Sequence, residues 1–302
     1  MLVDGHYYVY RSFFAIRDLS NSRGEPTNAI YGFVKTLRRM VKDLNPQLGA
    51  VVWDEGLPAR RTELQPAYKQ QRAEMPMDMR PQLDFIREVV PLLGFASVSL
   101  PDTEADDLMA SYACAAVGRK MEVVLATNDK DLFQLVDESV RVYTTNKADL
   151  ASPKDGFALL DSACVQKKWG VQPGRIGDVL ALIGDTVDNI LGVSGLGPKN
   201  AAHLLNKHGS LDALMADLGA VENARIREKL AGARAQILQN REMVKLDTDL
   251  ALPAPLEALR IAPRYEELVA MIERCELKSL LQEIKAEAAA GSKGEGEQGE
   301  LF

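Results

Sequence analysis

Cysteine and histidine are scarce in this chain, with three of each among 302 residues. Cys114, Cys164 and Cys275 are far apart, odd in number and in no Cys-x-x-Cys spacing. Neither a disulfide framework nor a thiolate zinc site is therefore indicated, and buried, reduced thiols are expected. His6, His203 and His208 have no Ser or Cys nucleophile beside them in a recognisable pattern, so triad chemistry is not indicated. Long apolar runs are also missing. Nothing approaches the roughly 20 residues that span a bilayer, and no charged-then-apolar leader opens the chain, so a soluble intracellular protein is expected. Positive charge is not in excess either: the net charge is −7, which at first sight argues against a nucleic-acid partner. Acids that bound cations would offset, and others after residue 285, contribute to that sum.

What the chain does have is nine carboxylates in five short clusters, each where an apolar run gives way to a turn or helix: Asp4; Asp54; Glu104, Asp106 and Asp107; Asp129 and Asp131; Asp185 and Asp188. Carboxylates brought together repel one another unless hard cations neutralise them, and oxygen-only ligands suit Mg²⁺ or Mn²⁺ rather than Zn²⁺.

Short apolar runs at Met1–Val3, Gly49–Trp53, Phe95–Leu100, Met121–Ala126 and Val140–Tyr143 alternate with amphipathic segments such as Ala29–Leu44, Pro81–Leu93 and Ala105–Val117. The pattern predicts an α/β fold with a mainly parallel central sheet flanked by helices over residues 1–165. Ligands bind such sheets beyond the strands' carboxyl ends, where Asp4, Asp54 and Asp129 fall. Residues 55–82 form a basic excursion with Arg60, Arg61, Lys69, Arg72 and Arg80, read as a partly helical flap over the site. Residues 166–285 read as wholly helical, with candidate helices at Val179–Ile183, Lys199–Leu205, Leu211–Met215, Ile226–Leu238 and Tyr265–Lys285, the last packing back on the sheet. Residues 286–302 read as a disordered tail.

Thr103 is the expected N-cap of a helix whose first turn carries the acids at 104, 106 and 107. Asp129 and Asp131 leave a strand on alternate positions and could reach one metal. Asp185 and Asp188 have helical i, i+3 spacing and could complete a second metal position; two cations about 4 Å apart could activate a water and stabilise a phosphodiester's leaving oxygen. In Gly192-Val-Ser-Gly-Leu-Gly-Pro-Lys199, glycines let the backbone approach a ligand, and N–H groups at the next helix start can hold a phosphate without reading bases.

The chain closely resembles the flap endonuclease, or 5′-nuclease, superfamily, above all the 5′-nuclease domain of bacterial DNA polymerase I. The resemblance rests on Leu-Val-Asp-Gly at 2–5, Gly-Glu-Pro-Thr at 24–27, Tyr-Lys-x-x-Arg at 68–72, Glu-Ala-Asp-Asp at 104–107, Asp-Lys-Asp at 129–131, Gly-Asp-x-x-Asp-Asn-Ile at 184–190 and the glycine hairpin from 192. It implies a PIN-like nuclease core and a two-metal 5′-3′ exonuclease and flap endonuclease for branched or nicked DNA, serving replication or repair. One Mg²⁺ or Mn²⁺ would sit at Glu104, Asp106 and Asp107, supported by Asp4 and Asp54, and the other at Asp129, Asp131, Asp185 and Asp188. Tyr68, Lys69 and Arg72 would contact phosphate from a helical arch at 55–82, with Lys69 and Arg72 catalytic. A helix-3-turn-helix at about 180–210 would grip the duplex through Gly195, Gly197 and Lys199 and hold K⁺ on the carbonyls of Val193 and Leu196. His6 and Pro198 depart from the family pattern without removing a ligand.

With no polymerase domain following, the resemblance implies a freestanding, cytoplasmic, nucleoid-associated monomer. The last residues, 298–302, resemble the peptide by which bacterial replication proteins bind the sliding clamp, with Gln298, Leu301 and Phe302 as its anchors. Two other readings accommodate part of the sequence: a DNA-binding scaffold with a vestigial acidic site, and a metal-dependent phosphatase. The latter gives no role to the hairpin or to Tyr-Lys-x-x-Arg.

Overall fold

The computed structural model describes residues 1–152 and 154–298, with the backbone alone for 291–298. Strands β1 (Leu2–Asp4), β2 (Ala50–Val52), β3 (Ala96–Val98), β4 (Val123–Ala126), β5 (Val140–Thr144) and β6 (Ala158–Leu160) form one sheet in the order β3-β2-β1-β4-β5-β6. The first five run parallel, and β6 pairs antiparallel with β5. Helices α1 (Gly5–Ala15), α2 (Asn28–Leu44), α3 (Ala59–Leu64), α4 (Arg80–Leu92) and α5 (Ala105–Gly118) connect them. The sheet is apolar on both faces because both are covered. Leu2, Val52, Leu125 and Val142 face one core with α5, while Val3, Val51, Ala126 and Tyr143 alternate to the other, with α1, α2 and α4.

The C-terminal half comprises α6 (Ser162–Trp169), α7 (Ile176–Ile183), a hairpin of β7 (Gly184–Asp185) and β8 (Ile190–Leu191), α8 (Pro198–His208), α9 (Leu211–Ala216), α10 (Ala224–Gly232), α11 (Arg234–Val244), α12 (Tyr265–Glu273) and α13 (Lys278–Gln298). Helices α7, α8 and α11 extend the α5-side core. The chain then returns: Leu268, Ile272, Leu280 and Ile284 complete the opposite core, and Arg38 of α2 pairs with Glu283 and Glu287 of α13.

Several expectations are corrected. Asp185 and Asp188 lie on a β-hairpin, not a helix. Backbone closeness fixes that hairpin, since a Cβ at Gly192 would overlap the Ile183 carbonyl. The segment 226–238 divides between α10 and α11 at Ala233, and 265–285 breaks at Glu276, which is left-handed (φ 57°). Helix α13 continues through 286–298, where a disordered tail was expected. Cys275 is buried as expected, but Cys114 and Cys164 are exposed. Between 55 and 82 only the six residues of α3 and the start of α4 are helical, and turns carry residues 66–72. Gln298 is the last residue of α13; Leu301 and Phe302 lie outside the described residues.

Candidate metal centre and nucleic-acid interface

Asp4 ends β1, Asp54 follows β2 by two residues and Asp129 follows β4 by three, so three adjacent strands deliver acids to one edge of the sheet. This edge includes the switch of strand order between β1 and β4. With Asp106, Asp185 and Asp188 they line a cavity of about 1020 Å³, which Lys69, Arg72, Lys130 and His6 also border. Residues separated by up to 184 positions in the chain are thus brought together.

Local hydrogen bonds aim these groups. Asp4 is the N-cap of α1, its Oδ1 accepting the Tyr7 N–H at 2.9 Å, and its Oδ2 accepts from Thr127 Oγ1 at 3.1 Å. The N-cap position of α5 belongs to Glu104 rather than Thr103, and it is Asp54, arriving from another strand, that accepts the Ala105 N–H at 2.9 Å. Asp129 Oδ1 accepts the Asp131 N–H at 2.9 Å, and Asp131 opens a 3₁₀ turn instead of continuing the strand. Asp185 accepts the Val187 N–H at 3.0 Å and pairs with Lys130 at 2.7 Å; Asp188 pairs with Arg72 at 2.6 Å.

Three of the nine carboxylates stand behind the cavity wall. Glu104, 2% exposed, is held by Lys69, Arg61 and the Tyr68 hydroxyl. Asp107, fully buried, accepts two bonds from Arg61, at 2.5 and 2.9 Å, and the Asp247 N–H at 2.9 Å. With both oxygens engaged in this way, Asp107 does not line the cavity. Asp131 Oδ1 is buried with no hydrogen-bond partner.

The electrostatics are those of an oxygen-ligand set short of positive charge. Burial, then the nearby Asp54 and Asp129 carboxylates, pushes Asp4 up to about 7. Burial, then Asp129 and Asp4, holds Asp106 well above the usual carboxylate range. Asp131 is raised well above it by burial and by Asp129, Asp185 and Asp188, and Asp129 is also raised, again with burial first. Asp54 differs. Burial would raise it, but His6 and the Ala105 N–H together bring it down to about 2. His6 Nδ1 lies 3.0 Å from Asp54 Oδ2 and 3.2 Å from the Asp54 backbone nitrogen, so it accepts the amide proton through its lone pair or, when it carries a hydrogen, donates to the carboxylate. No three His, Cys, Asp or Glu side chains among the described residues converge into a closed ion cage as they stand. The orphaned Asp131 oxygen, the mutually raised acids and the all-oxygen donors nonetheless match a hard divalent cation.

Lys69 has a positive φ of 56° and a raised pKa: burial opposes its charge, but Glu104 and Asp188 outweigh burial. The Tyr68 hydroxyl sits 3.2 and 3.3 Å from the Glu104 oxygens and 3.4 Å from Asp188. On the far side, Gly195 (φ 76°) turns the loop after β8, Gly197 caps α8 from an extended conformation, and exposed Lys199 lies in the first turn of α8. The Val193 carbonyl accepts the Leu196 N–H at 3.0 Å, and Lys229 Nζ donates to the Ser194 carbonyl at 2.6 Å. Sequence reasoning missed His6, Lys130 and Arg61 as site residues. Lys130, between two acids, was legible; the partners of Arg61 were not.

This arrangement, acids at the parallel strand ends beneath a basic segment and beside a glycine hairpin, is that of a nuclease. Residues 1–170 match the model of the 5′-3′ exonuclease N-terminal resolvase-like domain, and residues 171–267 that of the 5′-3′ exonuclease C-terminal SAM fold. A 5′-3′ exonuclease of Aquifex aeolicus is 36% identical, with 94% of each chain covered. The thermostable DNA polymerase I of Thermus thermophilus is 39% identical over 94% of this chain, which spans 33% of that polymerase. The chain belongs to the 5′-3′ exonuclease family. Among solved structures, the bacteriophage T5 flap endonuclease in a complex with DNA and metal ions shares the fold, with a TM-score of 0.67 at 19% identity over 95% of this chain and 96% of that one. The catalytic core of Rad2 in complex with DNA substrate does so too, at 0.62 and 17% over 93% and 90%.

Proposed function

We propose that the protein is a divalent-ion-dependent 5′-nuclease that hydrolyses phosphodiesters of flap, branched or nicked duplex DNA. The observation that carries this reading is the single cavity lined by Asp4, Asp54, Asp106, Asp129, Asp185 and Asp188 and bordered by Lys69 and Arg72. Two Mg²⁺ or Mn²⁺ ions among those acids, with Glu104 and Asp131, would supply an acidified water and neutralise phosphate charge. Glu104 and Asp107 both meet Arg61, but Glu104 also pairs with Lys69 at the cavity. Asp107 has both oxygens on Arg61 and one also on the Asp247 N–H, and it is left out of that set.

The protein's own part is to bind and orient. Lys69 and Arg72 place positive charge at the cavity, where they would hold the scissile phosphate and stabilise the charge that develops on it. In this structure they are paired with Glu104 and Asp188. The Tyr68 hydroxyl lies within reach of both of those carboxylates and donates its one proton to one of them at a time. The N–H groups at the start of α8, with Gly195, Gly197 and Lys199, suit a duplex backbone held without base readout. K⁺ on the hairpin carbonyls of Val193 and Leu196, action near the bacterial nucleoid, and sliding-clamp binding through Gln298, Leu301 and Phe302 complete the proposal. Among the described residues no helix is long and apolar enough to cross a membrane.

End-labelled 5′-flap, nicked and blunt DNA, incubated with Mg²⁺ with and without chelator, tests the reading. Short 5′ products in the ion-containing arm alone are expected. Binding without cleavage would leave the scaffold reading, and turnover confined to small phosphomonoesters the phosphatase.

A further inference from the structure

Arg61 is 3% exposed, and every N–H donor of its guanidinium is used. Nε donates to the Met243 carbonyl at 2.9 Å, and Nη2 to the Lys245 carbonyl at 2.9 Å and Asp107 Oδ1 at 2.9 Å. Nη1 donates to Asp107 Oδ2 at 2.5 Å and to Glu104. One planar group therefore joins two elements: the end of α11, whose last carbonyls have no partners within the helix, and the start of α5, where the carboxylates begin. Arg60, its neighbour, donates to the carbonyls of Glu242 and Lys245 at the same helix end.

Further back along α11, Gln236 and Asn240 hold the start of the glycine hairpin. Gln236 donates to the carbonyls of Leu191 and Gly192, and Asn240 to those of Leu191 (2.8 Å) and Ala181 (3.0 Å). An unbroken path of hydrogen bonds and helix thus runs from the hairpin, through α11, to Arg61 and Glu104.

We propose that Arg61 is a positioning residue that sets the Glu104 carboxylate against the ion cavity and, through α11, ties that setting to the hairpin that would grip DNA. This rests on the nuclease reading above. Arg61 touches neither phosphate nor the reacting atoms in this role. A planar fork is needed because a lysine ammonium, a point charge with three donors, cannot hold two carbonyls and two carboxylates in fixed relation.

Arg61→Lys tests the proposal because it keeps the charge and removes the fork. Mn²⁺ binding by calorimetry, with kcat and KM on flap DNA, gives the comparison with wild type. The variant is expected to bind Mn²⁺ about tenfold more weakly, the usual scale for losing a partner that orients a ligand. Its kcat should fall with KM for DNA unchanged, in protein whose melting curve shows it folded at the assay temperature. Wild-type Mn²⁺ affinity and kcat in folded Arg61→Lys would overturn the proposal. If that variant does not fold, Gln236→Ala decides from the half-exposed end of the path. With flap DNA bearing a non-hydrolysable linkage, wild-type protein should bind Mn²⁺ more tightly than it does without DNA, and Gln236→Ala should lose at least half of that gain. An undiminished gain would overturn the proposal. Wild-type protein that binds no Mn²⁺ under any of these conditions would overturn the nuclease reading, and this inference with it.

Discussion

The main chain of Lys69 is hydrogen-bonded to that of Asp188, N to O at 3.3 Å, while its Nζ stands 3.6 Å from the same residue's carboxylate. The basic segment is thus anchored on the β7–β8 turn by backbone as well as by charge, and the side chain can leave its ion pair without the segment losing its place. Lys69→Ala is therefore expected to lower kcat on flap DNA by about a hundredfold, the scale of one lost charge-stabilising donor. Its affinity for DNA in EDTA should change little. Single-turnover cleavage beside a binding titration separates the two; equal losses in both would refute the assignment.

Asp129 and Asp107 should part company. Asp129→Asn removes an acid from the cavity and is expected to lose ion-dependent cleavage by about a hundredfold or more while still binding DNA. Asp107→Asn turns an amide toward Arg61 and should cost about 3 kcal/mol of stability, as when one partner of a buried pair is lost. Its folded fraction should cleave within about tenfold of wild type. Urea midpoints and cleavage rates, measured on both variants, check the contrast.

Protonation and ion binding should compete at this site. A carboxylate whose folded pKa lies above its unfolded value stabilises the fold at low pH and loses that contribution as pH rises through the folded value. Asp4, moving from 3.8 to about 7, places that loss between roughly pH 4 and pH 7, and Asp106, Asp129 and Asp131 shift in the same direction. Melting temperature in EDTA should therefore fall across that window through this site. The gain on adding Mg²⁺ should be larger at about pH 8 than at about pH 5, because the ligands must be deprotonated. A gain independent of pH would contradict it.

Removing residues 298–302 should abolish capture by immobilised bacterial sliding clamp and leave cleavage in free solution unchanged. Capture at wild-type level by the shortened chain would dispose of the tail's proposed role.

The sheet was legible because strands covered on both faces read as short apolar runs, and acids at their ends stand out against them. Asp4, Asp54 and Asp129 were found that way. What could not be read were arrangements that leave no pattern in the side chains. The hairpin bearing Asp185 and Asp188 has two-residue strands, so their spacing of three suggested a helix. Glu276 breaks the last helical run in a left-handed conformation without glycine or proline to announce it. Asp54 caps a helix 51 residues away, which no local motif records. Arg61 finds two of its partners among backbone carbonyls, which every sequence possesses at every position.

The return of the chain onto its own beginning has a consequence for synthesis. Leu268, Ile272, Leu280 and Ile284 share a core with Val3, Val9 and Phe33. On the ribosome, the first layer must wait with an apolar face uncovered until residue 284 has left the exit tunnel, although domains ordinarily fold as they emerge. Nascent chains halted before that point should bind holdase chaperones through α2 and α4, the helices that α12 and α13 cover in the finished protein.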